Sequence, residues 1–234
     1  MGGALGPWSA CLWVRRAPGS GATDARVVPD GCLDLLWRNG RLEIAGPDTG
    51  HRRVPLAPGE LICGVRLRPG AARPLLGEVP ATAVRDAQPG LDLLWGGEVR
   101  RLEDRLAAAS DPWRAAGALA AALTARLGAH RPDPVAVAVA EALDRPRPPG
   151  IGVLARELGY SERQLRRRVV AAAGYGPKTL EQILRFRRSL AAAGPGADWS
   201  RIAAEQGYAD QAHLSRQMRR WSGAPPRELA AQAD

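Results

Sequence analysis

Lysine is almost absent: Lys178 is the only one among 234 residues, so the formal net charge of +9 is carried by arginine. Histidine is scarce as well. His51, His130 and His213 lie far apart with no H-x-H pair. The clustered imidazole and carboxylate ligands of a cupin-like metal enzyme are therefore missing, and neither catalysis nor a cofactor is expected. Cys11, Cys32 and Cys63 are an odd number, widely spaced and without a C-x-x-C pair. They point to buried free thiols in a reducing compartment rather than a disulfide framework or a zinc site. Long apolar runs are missing too. A bilayer span needs roughly 20 apolar residues, and the best candidate, Ala115 to Leu123, is far shorter. Met1 to Trp8 has no basic flank before an apolar run and does not read as a secretory signal. The expectation is a cytoplasmic protein with no membrane partner.

The charge that is present is uneven. Residues 151–234 hold fourteen basic and eight acidic side chains, whereas residues 1–150 hold nineteen and sixteen. A basic C-terminal third suggests a polyanionic partner, although an arginine-rich solvated surface would look the same by charge alone. With 45% apolar and 24% charged residues, the rest of the composition is that of an ordinary globular protein long enough for two modest domains.

Two textures follow one another along the chain. From Ala10 to about Leu94, Gly, Pro and short apolar runs read as strands. Asn39-Gly40 between Cys32–Trp37 and Leu42–Ala45 is a hairpin signal, because both turn residues tolerate positive φ. Leu61–Leu67 reads as a further strand, stopped by Pro69-Gly70, and the region as an antiparallel sheet or small barrel. After Trp95 the spacing becomes helical, through Val99, Leu102 and Leu106 and then Trp113, Leu119, Leu123 and Leu127, with a helix start at Asp111-Pro112. A short helix over Val135–Leu143 follows, and Arg145–Gly150 is an extended connection.

Beyond Gly150 the sequence repeats. Leu154-Ala155 before Gly159-Tyr160 returns 48 residues later as Ile202-Ala203 before Gly207-Tyr208. After one inserted residue, Leu165, Arg167, Val169, Gly174 and Pro177 return as Leu214, Arg216, Met218, Gly223 and Pro226. Each copy reads as a short helix (Val153–Leu158; Ser200–Gln206), a glycine suited to the left-handed turn that closes a helix, and a second helix. Ser161 opens the first of these second helices with capping-box spacing to Gln164, and Asp210 opens the other. Two helices joined by a tight turn are the DNA-reading motif whose second helix enters the major groove.

At 100° per residue, Leu165, Val169 and Ala172 face inward in the first copy, leaving Arg163, Arg166, Arg167 and Val170 outside. In the second copy Leu214, Met218 and Trp221 face inward, leaving Ala212, Ser215, Arg216 and Arg219 outside. Both outward faces are basic. The planar fork of arginine can bond guanine O6 and N7 together, which makes Arg167 and Arg216 the leading base readers. Arg163, Arg166 and Arg219 could equally grip phosphate.

These residues, with Gln211 and the two Gly-x-x-Pro segments, resemble the DNA-binding domain of AraC/XylS-type transcriptional regulators over roughly residues 134–230. The resemblance implies about seven helices, with a long helix near Lys178 to Ala193 joining the two units. It also implies that double-stranded DNA is read by Arg163, Arg166 and Arg167 and by Gln211, Ala212, Ser215 and Arg216. Three departures stand out: Val169 and Met218 replace usual aromatics, Leu180 replaces another, and Ala212 offers no polar group. The segments Val28–Leu35, Gly46-Pro47 and Gly64–Gly70 resemble the small β-rich domain that precedes this module in many such regulators. That likeness implies small-molecule sensing, homodimerisation or both, and the family likeness leans toward activation through RNA polymerase.

The reading is therefore an α+β protein. Residues 1–133 form an antiparallel, small barrel-like β-rich domain followed by helices, and residues 134–234 form an all-α domain with two helix-turn-helix units. Two rivals remain besides catalysis. A nucleoid-type binder would want a uniformly cationic surface, whereas the charge here sits on two matched helix faces. A sensor that had lost DNA binding would not need arginines on both.

Overall fold

The computed structural model describes residues 5–21, 23–194 and 196–230. Six strands come first: β1 (Ser9–Arg16), β2 (Thr23–Val27), β3 (Leu33–Arg38), β4 (Arg41–Ala45), β5 (Arg52–Leu56) and β6 (Leu61–Leu67). They pair antiparallel as a four-stranded sheet in the order β1-β6-β3-β4 and a separate β2-β5 ribbon. The two sheets do not close into a barrel. Asn39 (φ 49°) and Gly40 (φ 75°) make the β3-β4 turn, as the Asn-Gly pair predicts, because the twist of a two-residue hairpin needs positive φ at both positions.

Strand alternation sorts the sheet into two faces. Leu33, Leu35, Leu42, Ile44, Cys63, Val65 and Leu67 share one buried core with the helices that follow. The opposite face presents Trp13, Asp34, Leu36, Ile62 and Arg66 toward the ribbon, which closes over one end through Ala25, Val54 and Leu56. Gly64 in the middle of β6 has a packing reason: a methyl group there would fall 2.9 Å from the Trp13 ring and from the Leu35 carbonyl. Of the thiols, Cys32 and Cys63 are buried and Cys11 is only half-buried.

After β6 the chain turns helical sooner than its texture suggests. α1 (Arg73–Leu76), a 3-10 turn at Ala81–Val84 and α2 (Asp92–Trp95) occupy the stretch read as strand-like to Leu94. Four-residue helices are too short to show a period, so a Gly- and Pro-rich run conceals them. α3 (Glu98–Ala107) and α4 (Pro112–Arg126) then cover the sheet. Asp111 caps α4 by accepting from the backbone N–H groups of Trp113 and Arg114. Val99, Leu102, Leu106, Leu119 and Leu123 are buried as their spacing predicts, but Trp113 is 59% exposed and lies off that stripe.

The C-terminal part contains seven helices among the described residues: α5 (Pro134–Leu143), α6 (Ile151–Glu157), α7 (Glu162–Ala173), α8 (Pro177–Ala191), α9 (Trp199–Glu205), α10 (Gln211–Ser222) and α11 (Pro226–Ala230). They enclose a second core in which Leu180, Ile183, Leu184 and Phe186 of α8 are fully buried. Asp133 caps α5 and also pairs with Arg168 of α7 at 3.2 Å. Asp144, at the end of α5, takes ion pairs from Arg187 and Arg188 of α8.

The β-rich half docks on this helical half through a few specific contacts. The Tyr175 hydroxyl donates to the Asp48 carbonyl at 2.8 Å, and Arg85 donates to the Gly174 carbonyl at 3.2 Å. Arg26 pairs with Glu228 at 2.9 Å. Gly31 abuts α8, since a methyl group there would come within 3.1 Å of Leu180 and 3.6 Å of Leu184.

Candidate nucleic-acid interface

Each repeat folds as the spacing predicts. α6 and α9 end in turns through Gly159 and Gly207, both at φ 72°, the left-handed region that a glycine enters at least cost. The following helices start at Ser161 and Asp210. Ser161 accepts from the Gln164 N–H while the Gln164 side chain accepts from the Ser161 N–H, a complete capping box. Asp210 accepts from the His213 N–H at 2.6 Å. Both second helices close on a left-handed glycine, Gly174 (φ 80°) and Gly223 (φ 71°).

α8 holds the two units together. It packs on α5, α7 and α10, and its C-terminal half reaches the turn of the second unit. There Arg185 donates to the Gly207 carbonyl at 3.1 Å and lies over the Tyr208 ring. Arg188 donates to the Gln206 side chain at 3.0 Å. Burial pushes the Tyr208 hydroxyl above its usual pKa of 10, and it accepts from Ser189 of α8. The turn preceding the second recognition helix is thereby fixed to the connecting helix.

Inward faces agree with the helical projection at Leu165, Val169, Leu214, Met218 and Trp221, all buried. Ala172 is only half-buried, and Ala173 takes the inward place beside Val169 instead. On the outside, Arg163, Arg166, Arg167, Arg216 and Arg219 are exposed, and none forms an ion pair among the described residues. Four other arginines of the domain are engaged. Arg168, Arg187, Arg188 and Arg201 pair with Asp133, Asp144 and Glu205. Arg156, Arg185, Arg220 and Arg227 also form no ion pair among the described residues, so free guanidinium groups are not confined to the two outward faces.

The remaining named positions differ among themselves. Gln211 and Ala212 are exposed, but the Gln211 side chain is occupied in accepting from the Ser200 hydroxyl at 2.8 Å. Ser215 is half-buried. Gln211, Ser215, Arg216 and Arg219 line a groove together with Arg220 and Arg227. Those last two cations were not legible as partners of the face, because Arg227 is brought there from α11. In the first unit, Arg167 lies at the edge of a second groove, opposite Arg73 and Gly77–Pro80 of the β-rich half. The end of α7 packs on the 3-10 turn at Ala81–Val84.

The three histidines stay apart. His51 faces Gly223, His130 lies beside Glu78, and His213 meets the Tyr208 ring edge-on. Among the described residues no group of three or more His, Cys, Asp or Glu side chains could hold a metal ion, and no helix is long and apolar enough to cross a membrane.

Comparison with known proteins agrees with this geometry. The helix-turn-helix domain family matches residues 154–232, and a domain of unknown function (DUF6597) matches residues 3–89. No curated protein matches the chain. Among solved structures, an apo point variant of ToxT from Vibrio cholerae is 12% identical, covers 95% of this chain and 97% of its own, and superposes with a TM-score of 0.50. Wild-type ToxT from Vibrio cholerae with bound unsaturated fatty acid is 11% identical, covers 94% of each chain, and has a TM-score of 0.48. The C-terminal domain of AraT, a response regulator from Geobacillus stearothermophilus, is 16% identical over 43% of this chain and 86% of its own, with a TM-score of 0.39. At such identity the first of these speaks for a shared two-domain fold. With the helix-turn-helix match and the duplicated geometry, the chain carries an AraC-type helix-turn-helix DNA-binding domain in its C-terminal part and a DUF6597 domain in its N-terminal part.

Proposed function

We propose that this regulator reads two adjacent major-groove segments, one with α7 and one with α10, and that its β-rich half makes the reading responsive to a small molecule. The observation that carries the first part is the matched pair of free arginine faces, Arg163, Arg166 and Arg167 on one helix and Arg216 and Arg219 on the other. A free guanidinium on an outward helix face is available for phosphate or guanine, whereas one already held by aspartate is not. Gln211, Ala212 and Ser215 complete the second face as edge contacts, with Ala212 limited to apolar contact such as a thymine methyl. The function is regulatory rather than enzymatic, its setting is the cytoplasm, and homodimerisation and contact with RNA polymerase are the further partners that fit.

We place the domain boundary near residue 133, because the buried members of the first core end at Leu127 and those of the second begin at Val139. Selection of bound sequences from a random DNA pool tests the reading. The expected outcome is a non-palindromic site per protomer with two specified segments about 10 base pairs apart. Recovery of sequences with no common pattern would refute it.

A further inference from the structure

The groove beside the second recognition helix, about 550 Å³ in volume, collects the four guanidinium groups of Arg216, Arg219, Arg220 and Arg227. No carboxylate lines it among the described residues. Arg220 and Arg227 are exposed. Glu228, next to Arg227 in the chain, is taken by Arg26 of the β-rich half at 2.9 Å. The Arg220 guanidinium lies over the Trp221 ring, 4.6 Å from its centre, a contact that steadies the group and leaves its N–H donors free.

The repeat shows that this concentration of charge is particular to the second unit. Equivalent positions of the two second helices are 49 residues apart. Arg163, Arg166 and Arg167 correspond to Ala212, Ser215 and Arg216, in the first half of each helix. Arg219, Arg220 and Arg227 correspond to Val170, Ala171 and Lys178. Lys178 is held by Glu181 at 3.0 Å. The matching face of α7, with Arg167 and Ala171, looks instead into the groove against the β-rich half. There Arg73 is paired with Glu78 and Arg168 with Asp133, leaving Arg167. Cation therefore lies early on α7, but late on α10 and onward into α11.

The start of a recognition helix meets base edges, whereas contacts to sugar and phosphate fix its position on the duplex. From this arrangement we infer that Arg219, Arg220 and Arg227 clamp the DNA phosphate backbone beside the segment read by α10, and that the first unit has no counterpart of this clamp. The second unit thus supplies the larger share of sequence-independent affinity, and α7 reads bases in a complex already anchored. The inference rests on the two-segment reading above and assigns the backbone grip to one of its two units. Stabilisation of the α10 C-terminus by positive charge would account for Arg219 and Arg220 alone. Arg227 stands outside that helix and has no such reason.

The test measures dissociation constants of the full-length protein between roughly 0.05 and 0.3 M salt, on the selected site and on a scrambled duplex. Arg220→Gln and Arg227→Gln should each weaken binding to both duplexes, roughly eightfold at 0.1 M salt, and reduce the slope of log K against log salt by about 0.9. Arg220→Lys and Arg227→Lys keep the charge and should keep the slope. Lys178→Gln should leave the slope at its wild-type value. Single methylphosphonate substitutions, each removing one phosphate charge, locate the clamp along the selected site. They should weaken the wild type beside the segment that Arg216→Ala blurs, and should lose that effect when Arg220→Gln and Arg227→Gln are combined. An unchanged slope overturns the clamp, and a fall in thermal stability beside it would mark both arginines as structural. An effect lost beside the other segment, or a changed base preference in binding-site selection, overturns it as well. Selection with the wild-type protein decides the two-segment reading separately, and the slope on the scrambled duplex tests the clamp whichever way that selection falls.

Discussion

The imidazole of His51 packs directly on Gly223, so close that a methyl group on that glycine would fall 2.4 Å from the ring. Gly223 ends α10 at φ 71°, and Gly174, its counterpart in the first repeat, ends α7 against Pro47 of the same β4-β5 turn. One turn of the β-rich half therefore touches equivalent points on both recognition helices. The repeat symmetry of the DNA-binding domain is matched by a single docking segment.

Gly223→Ala should destabilise the protein in two separable ways. The left-handed backbone costs a non-glycine residue about 1–2 kcal/mol, and the His51 contact adds steric conflict. His51→Ala in the same chain removes the second contribution and leaves the first. Urea denaturation of the single and double variants should show partial recovery in the double variant. Equal stability of Gly223→Ala and wild type would contradict the close packing.

Glu60 should give the β-rich half a marked acid limb. Its carboxylate is buried and accepts from Arg38, Asn39 and the Ala57 N–H, and the Arg38 hydrogen bond foremost holds its pKa below the usual 4.5. A lowered carboxyl pKa contributes stability that is complete above pH 4.5 and is lost as the pH falls through the folded-state value. Asp34 has the opposite sign, because burial raises its pKa and disfavours the charged form. Glu60→Gln should therefore be less stable than wild type near neutrality and converge on it in acid. Denaturation midpoints measured between roughly pH 3 and 7 check this. A wild-type advantage that does not shrink in acid would rule out Glu60 as its source.

The fragment 134–234 should fold and bind DNA without the β-rich half. Every buried member of the second core lies between Val139 and Leu229, and Val28 is its one partly buried neighbour from outside the fragment. Circular dichroism and gel shift against the selected site are the measurements. A folded fragment that never shifts DNA would contradict the proposed division of labour.

Legibility in the sequence followed how local each determinant is. The β3-β4 hairpin, the caps at Asp111, Ser161 and Asp210, and the two helix-turn-helix units were readable because turn and cap chemistry acts within a few residues. The inward stripes were readable where a helix runs for three turns, as in α7 and α10. α1 and α2 were not, since four residues carry no period. The exposure of Trp113, the exchange of Ala172 for Ala173 and the arrival of Arg227 beside Arg216 depend on how helices meet. Contacts such as Tyr175 with Asp48 join residues 127 apart, and no local pattern announces them.

The central claim is that α7 and α10 read separate segments of one DNA site. Binding-site selection should be repeated with Arg167→Ala and with Arg216→Ala, using the full-length protein. If each arginine bonds guanine through both N–H donors, each loss should cost about 1–3 kcal/mol and relax preference in one segment alone, a different segment for each variant. Two variants that blur the same segment, or that leave every preference intact, would contradict the two-reader account.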